Sequence, residues 1–469
     1  MTFQTVAVQI VGQTYQHRSR PLSSQRTMNL IPEFNVTGKK ESSMNCWPGS
    51  KPYIVGTGSD RGYHVFNNVL YKVSGASLYS ENSDKTETLI GTIAGTNRCI
   101  FANDGFSMII TTGGTGYQYV DSTNTLTEIT DTDFDNGNSV AFINSQMVFD
   151  GDGGRFQVAN PGDPDNIEAN NFATAESAPD DTIRVYTFSE RLYLFGERTV
   201  ETWYNSGTGN PPFDRVNGGT MQIGLAAVHS VTESPDFVYF LGSDKSVYRF
   251  SATQAQSIST IAISHEFESY DDVSDAIAFM VNIEGQYIYV IKFPTAGKCF
   301  AFNEGSNGWF ELSTGASQGL YIGNSYAEAY GKKFIADNGN TLELDLDTYT
   351  DNGETIIRER VTAPLDGAAI GVEGGRVTMS RFQVVMETGI GLITGQGETP
   401  QLMFQASFDG GKSWTNADTV MIGRLGESRV KVEWYHMASF YEVMFRIRMS
   451  DPVFISIHSA AIDISAGGW

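Results

Sequence analysis

The sequence predicts an all-β protein: a six- or seven-bladed β-propeller with an N-terminal arm and a C-terminal β-sandwich-like domain. Three observations lead there. Hairpin-like units recur, each an apolar run, a Gly- or Asp-containing turn and a second apolar run. The first strands of these units, at Leu70, Met108, Met147, Leu192, Val238, Tyr287 and Phe334, follow one another at steps of 38, 39, 45, 46, 49 and 47 residues. Four-stranded propeller blades repeat at roughly 40–50 residues. Helical periodicity is scarce, and the one short candidate covers 271–281.

Taken in order, residues 1–55 are polar, with a basic patch at Arg18, Arg20 and Arg26 and then Lys39 and Lys40, and read as an extended arm. Residues 56–350 carry the repeating hairpins. Leu70-Tyr71-Lys72-Val73 turns at Gly75 into Leu78-Tyr79, and Leu192-Tyr193-Leu194-Phe195 turns at Gly196 into Val200-Glu201-Thr202-Trp203-Tyr204. Each unit shows one clear hairpin and leaves room for two weaker strands, as a blade requires. A row of β-meanders in a sandwich has the same local pattern, and the even step favours the propeller. The turn Asp351-Asn352-Gly353 opens the third unit, 351–469. Its strands alternate with period two, as in Arg429-Val430-Lys431-Val432-Glu433-Trp434, Phe445-Arg446-Ile447-Arg448-Met449 and Phe454-Ile455-Ser456-Ile457. About six such strands resemble a small sandwich.

Composition bounds the function. The 469 residues hold 31 basic and 54 acidic side chains, a net charge of −23. That balance argues against a dedicated nucleic-acid binder, which depends on Lys and Arg, and against an anionic membrane surface. Aromatic residues at 12% argue against disorder. No apolar run is long enough to predict a transmembrane helix, and the opening Met1-Thr2-Phe3-Gln4 lacks the cationic segment of a signal peptide. Cys46, Cys99 and Cys299 are far apart and odd in number, and read as buried free thiols.

Several motifs invite chemistry and withdraw the invitation. Gly315-Ala316-Ser317-Gln318-Gly319 fits a nucleophile elbow, but no helix is predicted after it. Asp150-Gly151-Asp152-Gly153-Gly154 and Asp131-Thr132-Asp133-Phe134-Asp135 suggest calcium loops, yet the twelfth positions are Pro161 and Phe142 where an EF-hand needs Glu. Ser407-Phe408-Asp409-Gly410-Gly411-Lys412-Ser413-Trp414 fits the Asp-box, in which Ser407, Asp409, Gly411 and Trp414 staple a turn. The six histidines are scattered, without metal-ligand spacing. No catalytic residue, cofactor or metal is therefore expected.

A succession of segments resembles one family, the tail hub or nozzle of short-tailed, podovirus-like phages, also called the packaged-DNA stabilisation protein. It begins with Gly12-Gln13-Thr14-Tyr15-Gln16-His17-Arg18-Ser19-Arg20-Pro21-Leu22 and runs on through Arg26-Thr27-Met28-Asn29-Leu30-Ile31-Pro32-Glu33. It continues with Glu201-Thr202-Trp203-Tyr204-Asn205-Ser206-Gly207, then Ile223-Gly224-Leu225-Ala226-Ala227-Val228-His229, and closes with Gly308-Trp309-Phe310-Glu311. The resemblance spans residues 12–311; the last 120 residues share only their β character.

The resemblance implies a non-enzymatic virion protein of a bacteriophage short tail. It would form a homo-hexamer below the portal and its adaptor ring, retain packaged DNA and continue the ejection channel. A tail needle, plug or knob would close the far end, and tail fibres or tailspikes would attach at the side. DNA would pass the lumen without specific binding, and no membrane anchor is involved. Arg18, Arg20 and Arg26 are the candidate contact with a neighbouring subunit or the adaptor. The alternative from another class is a glycan-binding or sialidase-like propeller at the tail, which would place an Arg cluster and a carboxylate pair around a central pocket.

Overall fold

The computed structural model describes residues 3–19, 23–34, 41–135, 137–175, 180–435 and 438–466. Their regular secondary structure is almost entirely strand, with one short α-helix. Blade 1 consists of Asp60–Phe66, Val69–Ser74, Ser77–Glu81 and Glu87–Thr92 in an antiparallel meander. Its first turn, Asn67-Asn68, has positive φ at both residues, the twist that a two-residue hairpin needs. Five more blades repeat the plan over 100–128, 140–174, 182–221, 232–257 and 277–311. The ring then closes through a composite seventh sheet. Tyr326–Ala329, Lys332–Asp337 and Asn340–Asp345 take Gly49–Ile54 as their fourth strand. The architecture is the β-propeller that the hairpin spacing predicts, within the expected six or seven blades.

The packing explains why the second strand of a blade is so legible. Ser107–Thr111, Gln146–Asp150 and Val238–Leu241 are buried at every position. Such strands sit between two neighbouring blades, so both faces must be apolar, as in a doubly covered sheet. Separate apolar clusters fill the seven gaps between successive sheets, including the closing gap, where Tyr53, Ile54 and Phe334 meet Leu70. Cys46, Cys99 and Cys299 are free thiols, each buried.

The C-terminal unit is a sandwich of two sheets. One orders Leu30–Phe34, Ser42–Cys46, Ser456–Ala466, Val377–Met386 and Val432–Trp434, and Gln4–Val8 pairs along Ser456–Ala466. The other continues blade 6. Its outer strand Gly308–Glu311 meets Ser24–Met28, which pairs in turn with Arg358–Val361, then Glu442–Met449 and Gln401–Ser407. Between them Phe382, Phe404, Trp434 and Phe445 stack at centroid separations of 4.6 to 6.0 Å.

Three expectations need correction. Residues 1–55 are not an extended arm: their described strands complete the propeller and supply both sandwich sheets. The cause is the open strand edges of both units, whose backbone groups need partners. The helix lies at Ile261–Glu268, with the Thr260 hydroxyl accepting from the Ile263 N–H, and 277–283 is a strand whose burial alternates with period two. Arg429-Val430-Lys431 stays outside the sandwich strand, which begins at Val432.

Candidate functional site

The lead-in forms a junction between propeller and sandwich. Buried Asn29 (φ 53°) sits at its centre. Its amide donates to the Ser313 carbonyl and to the Ile357 carbonyl, and its Oδ1 accepts from the Ser313 N–H. Asn tolerates this left-handed backbone better than most residues. Arg360 is buried and donates to the Ile10 and Gln13 carbonyls, the Thr27 hydroxyl and the Gln25 amide oxygen. Burial lowers its pKa to about 9. A Cβ at Gly12 would come within 2.8 Å of this fixed guanidinium, which accounts for the glycine that opens the lead-in motif.

The predicted basic patch is not gathered into one site. Arg26 is half-buried and held by Glu311 at 2.7 Å and Glu359 at 3.3 Å. Burial opposes its charge, but the two carboxylates outweigh it and raise its pKa. Arg18 is exposed, and Arg20 lies outside the described residues.

The other motifs settle into turns. Asp409 Oδ1 accepts from the Lys412 and Ser413 N–H groups, both at 2.9 Å. The Ser407 hydroxyl donates to Asp409 at 2.8 Å and accepts from the Gly411 N–H. Hydrogen bonds, those of Ser413 foremost, hold the Asp409 carboxyl well below the usual carboxylate range. Trp414 is half-buried, with the Arg446 guanidinium 4.4 Å from its ring centroid. Residues 315–319 join two-residue strands in a hairpin, so the elbow pattern lacks its strand-to-helix setting. Asp150 is a buried brace accepting from the Ser139 N–H at 2.5 Å, and burial raises its pKa to about 6. Among the described residues no group of three or more His, Cys, Asp and Glu could hold a metal ion, and no helix is long and apolar enough to cross a membrane.

The centre of the propeller gathers residues that no catalytic or metal-ligand motif marks. The first strands of the blades surround a cavity of about 480 Å³. Arg98 enters just before blade 2, Arg184 from blade 4 and His229 from the turn before blade 5. Arg98 donates to the Asn324 carbonyl at 3.0 Å and the Ser325 hydroxyl at 2.7 Å; Arg184 donates to the Val228 carbonyl and lies 5.4 Å from the Tyr186 ring centroid. His64 stacks on Phe101 and shares a hydrogen bond with Asn103. Tyr186 donates to Glu233 at 3.1 Å and Tyr326 to Glu328 at 2.6 Å. Burial lowers the pKa of His64 to about 4, and burial with the charges of Arg98 and Arg184 lowers that of His229 to about 3. The usable signal was positional: these residues lie at or beside the first strand of a blade, the strand that faces the channel.

Propeller, sandwich and shared lead-in define a class of protein, the two-unit all-β chains in which one lead-in serves both units. The chain belongs to the family described as Bacteriophage P22 Gp10, matching its β-propeller over residues 6–349 and its β-sandwich over 364–465. It is similar to the tail hub protein gp10 of Salmonella phage P22, with 21% identity over 388 residues, covering 70% of this chain and 81% of that protein. Family membership makes it a structural protein of the virion tail. In fold it is similar to the extracellular domain of a two-component system from B. thetaiotaomicron, at 8% identity and a TM-score of 0.45, covering 80% of this chain and 47% of that one. It is also similar to the WD40 propeller domain of Doa1, at 10% identity and a TM-score of 0.41, covering 63% of this chain and 96% of that one.

Proposed function

We propose that six copies of this chain form a ring below the portal and its adaptor ring, which retains packaged DNA and then continues the ejection channel. The observation that carries this reading is the ordered match of both units, propeller and sandwich, to the tail-hub family. A closed ring needs one surface of each copy to meet a different surface of the next. A needle, plug or knob closes the far end, and fibres or tailspikes attach at the side. Exposed Arg18 serves the adaptor or neighbouring subunit; Arg26 does not, since Glu311 and Glu359 already neutralise it. The net charge of −23 gives the lumen a surface that repels phosphate, so DNA slides without adhering. Native mass measurement and negative-stain imaging test the assembly. Hexamers with an axial opening support it, and a monomer that hydrolyses glycans overturns it. A net-basic lumen in the assembled ring would remove the sliding argument alone.

A further inference from the structure

The propeller centre holds two arginines, Arg98 and Arg184, that face one cavity. Acidic residues outnumber basic ones by 54 to 31, yet neither Arg98 nor Arg184 forms an ion pair among the described residues. Arg184 is only 8% exposed, and its Nε is buried without a hydrogen-bond partner. A buried guanidinium proton without an acceptor is costly; Asp60 acts on Arg98 and Asp150 on Arg184 by charge alone, without an ion pair. The two carboxylates that line the cavity, Glu233 and Glu328, accept hydrogen bonds from Tyr186 and Tyr326 and form no ion pair with either arginine among the described residues.

We propose that the channel of each propeller binds a small organic oxyanion, a phosphate ester or a sugar carboxylate, between Arg98, Arg184 and His229. Arginine suits this role because its planar fork matches the oxygens of phosphate and carboxylate. The neutral imidazole of His229 can donate one further N–H. The cavity volume of about 480 Å³ falls in the range of small-molecule sites, roughly 300–1,000 Å³, and exceeds what a bare ion fills. Phe101, Tyr186, Phe279 and Met280 supply apolar and aromatic wall for the organic part. The site is lined by residues of one chain.

Calorimetric titration of the full-length chain with adenosine monophosphate, glucuronate and inorganic phosphate tests this. Saturable binding of one adenosine monophosphate or one glucuronate per chain supports the proposal, and the arm that binds identifies the oxyanion. Arg184→Gln and Arg98→Gln are each expected to weaken binding about tenfold or more, the loss of a charge-assisted pair. Arg184→Lys keeps the charge and removes the fork, and serves if the Gln variants fold poorly; it is also expected to bind more weakly. Near-UV circular dichroism verifies the fold of each variant. No saturation by either organic ligand overturns the proposal. So does undiminished binding in the folded Arg variants, or inorganic phosphate binding as tightly as the organic ligands.

Discussion

Lys72 is a lysine at 1% exposure inside blade 1. Its ammonium meets Glu81 at 2.6 Å, Glu87 at 2.8 Å and the Gly339 carbonyl at 3.0 Å. Glu81 also accepts from Thr341 of the closing sheet, so this charge cluster joins the first blade to the last. Removing one partner of a buried pair leaves the other charge uncompensated, at about 3–5 kcal/mol. Lys72→Met should therefore lower the urea midpoint strongly, and Glu81→Gln added to it should recover part of the loss. Additive effects in that double-mutant cycle would dismiss the coupling. The channel histidines give a pH signature. Their folded pKa values, about 4 for His64 and about 3 for His229, lie below the ordinary 6.5. The unfolded chain binds more protons across that interval, so their contribution to stability falls as pH drops from about 6.5 to 4. Asp150 and Asp351, both raised to about 6 by burial, act with the opposite sign between about 4 and 6. His64→Gln with His229→Gln should thus lose less stability than the parent on acidification, measured by urea unfolding at several pH values.

Among elements, Gly49–Ile54 has the largest consequence. It pairs with Asn340–Asp345 and fills the fourth place of the closing sheet. Deleting residues 1–55 should abolish the fold, whereas a free arm could be removed with the melting temperature unchanged. Expression and thermal unfolding of the truncated chain distinguish the two. This element also marks where sequence legibility ends. Blade hairpins are readable because an apolar run, a turn such as Asn67-Asn68 and a second run lie within about a dozen residues. The partner of Lys51 is Glu343, and no local periodicity links them. The same holds for the candidate channel site. Arg98, Arg184 and His229 come from separate blades, and each alone looks like an ordinary polar residue beside a strand. The hydrogen bonds of the Asp-box turn are local, because Ser407, Asp409 and the amides they accept from are neighbours in sequence.

At the scale of the whole molecule, propeller and sandwich are not beads on a string. One sheet runs from blade 6 through Ser24–Met28 into Arg358–Val361 and beyond, and Arg360 clamps the lead-in across the same junction. Neither unit can open without breaking strands that the other shares. Thermal unfolding should accordingly give one transition with equal calorimetric and van't Hoff enthalpies; two resolved transitions would show independent units. Burial of Trp47 and Trp309 on the propeller side and of Trp434 in the sandwich lets fluorescence follow both units at once.

Gln4–Val8 pairs along Ser456–Ala466, so Gln4 must meet Ile464 across the length of both units. A chain emerging from the ribosome can form its middle blades locally, but the sandwich sheet stays open until residue 464 is available to Gln4. Long-range pairing of this kind folds slowly. A product that terminates before residue 456 lacks the strand that receives the lead-in, and carries exposed edges in place of a finished surface. Such a chain cannot complete its sandwich sheet, because Gln4–Val8 has no strand to pair along.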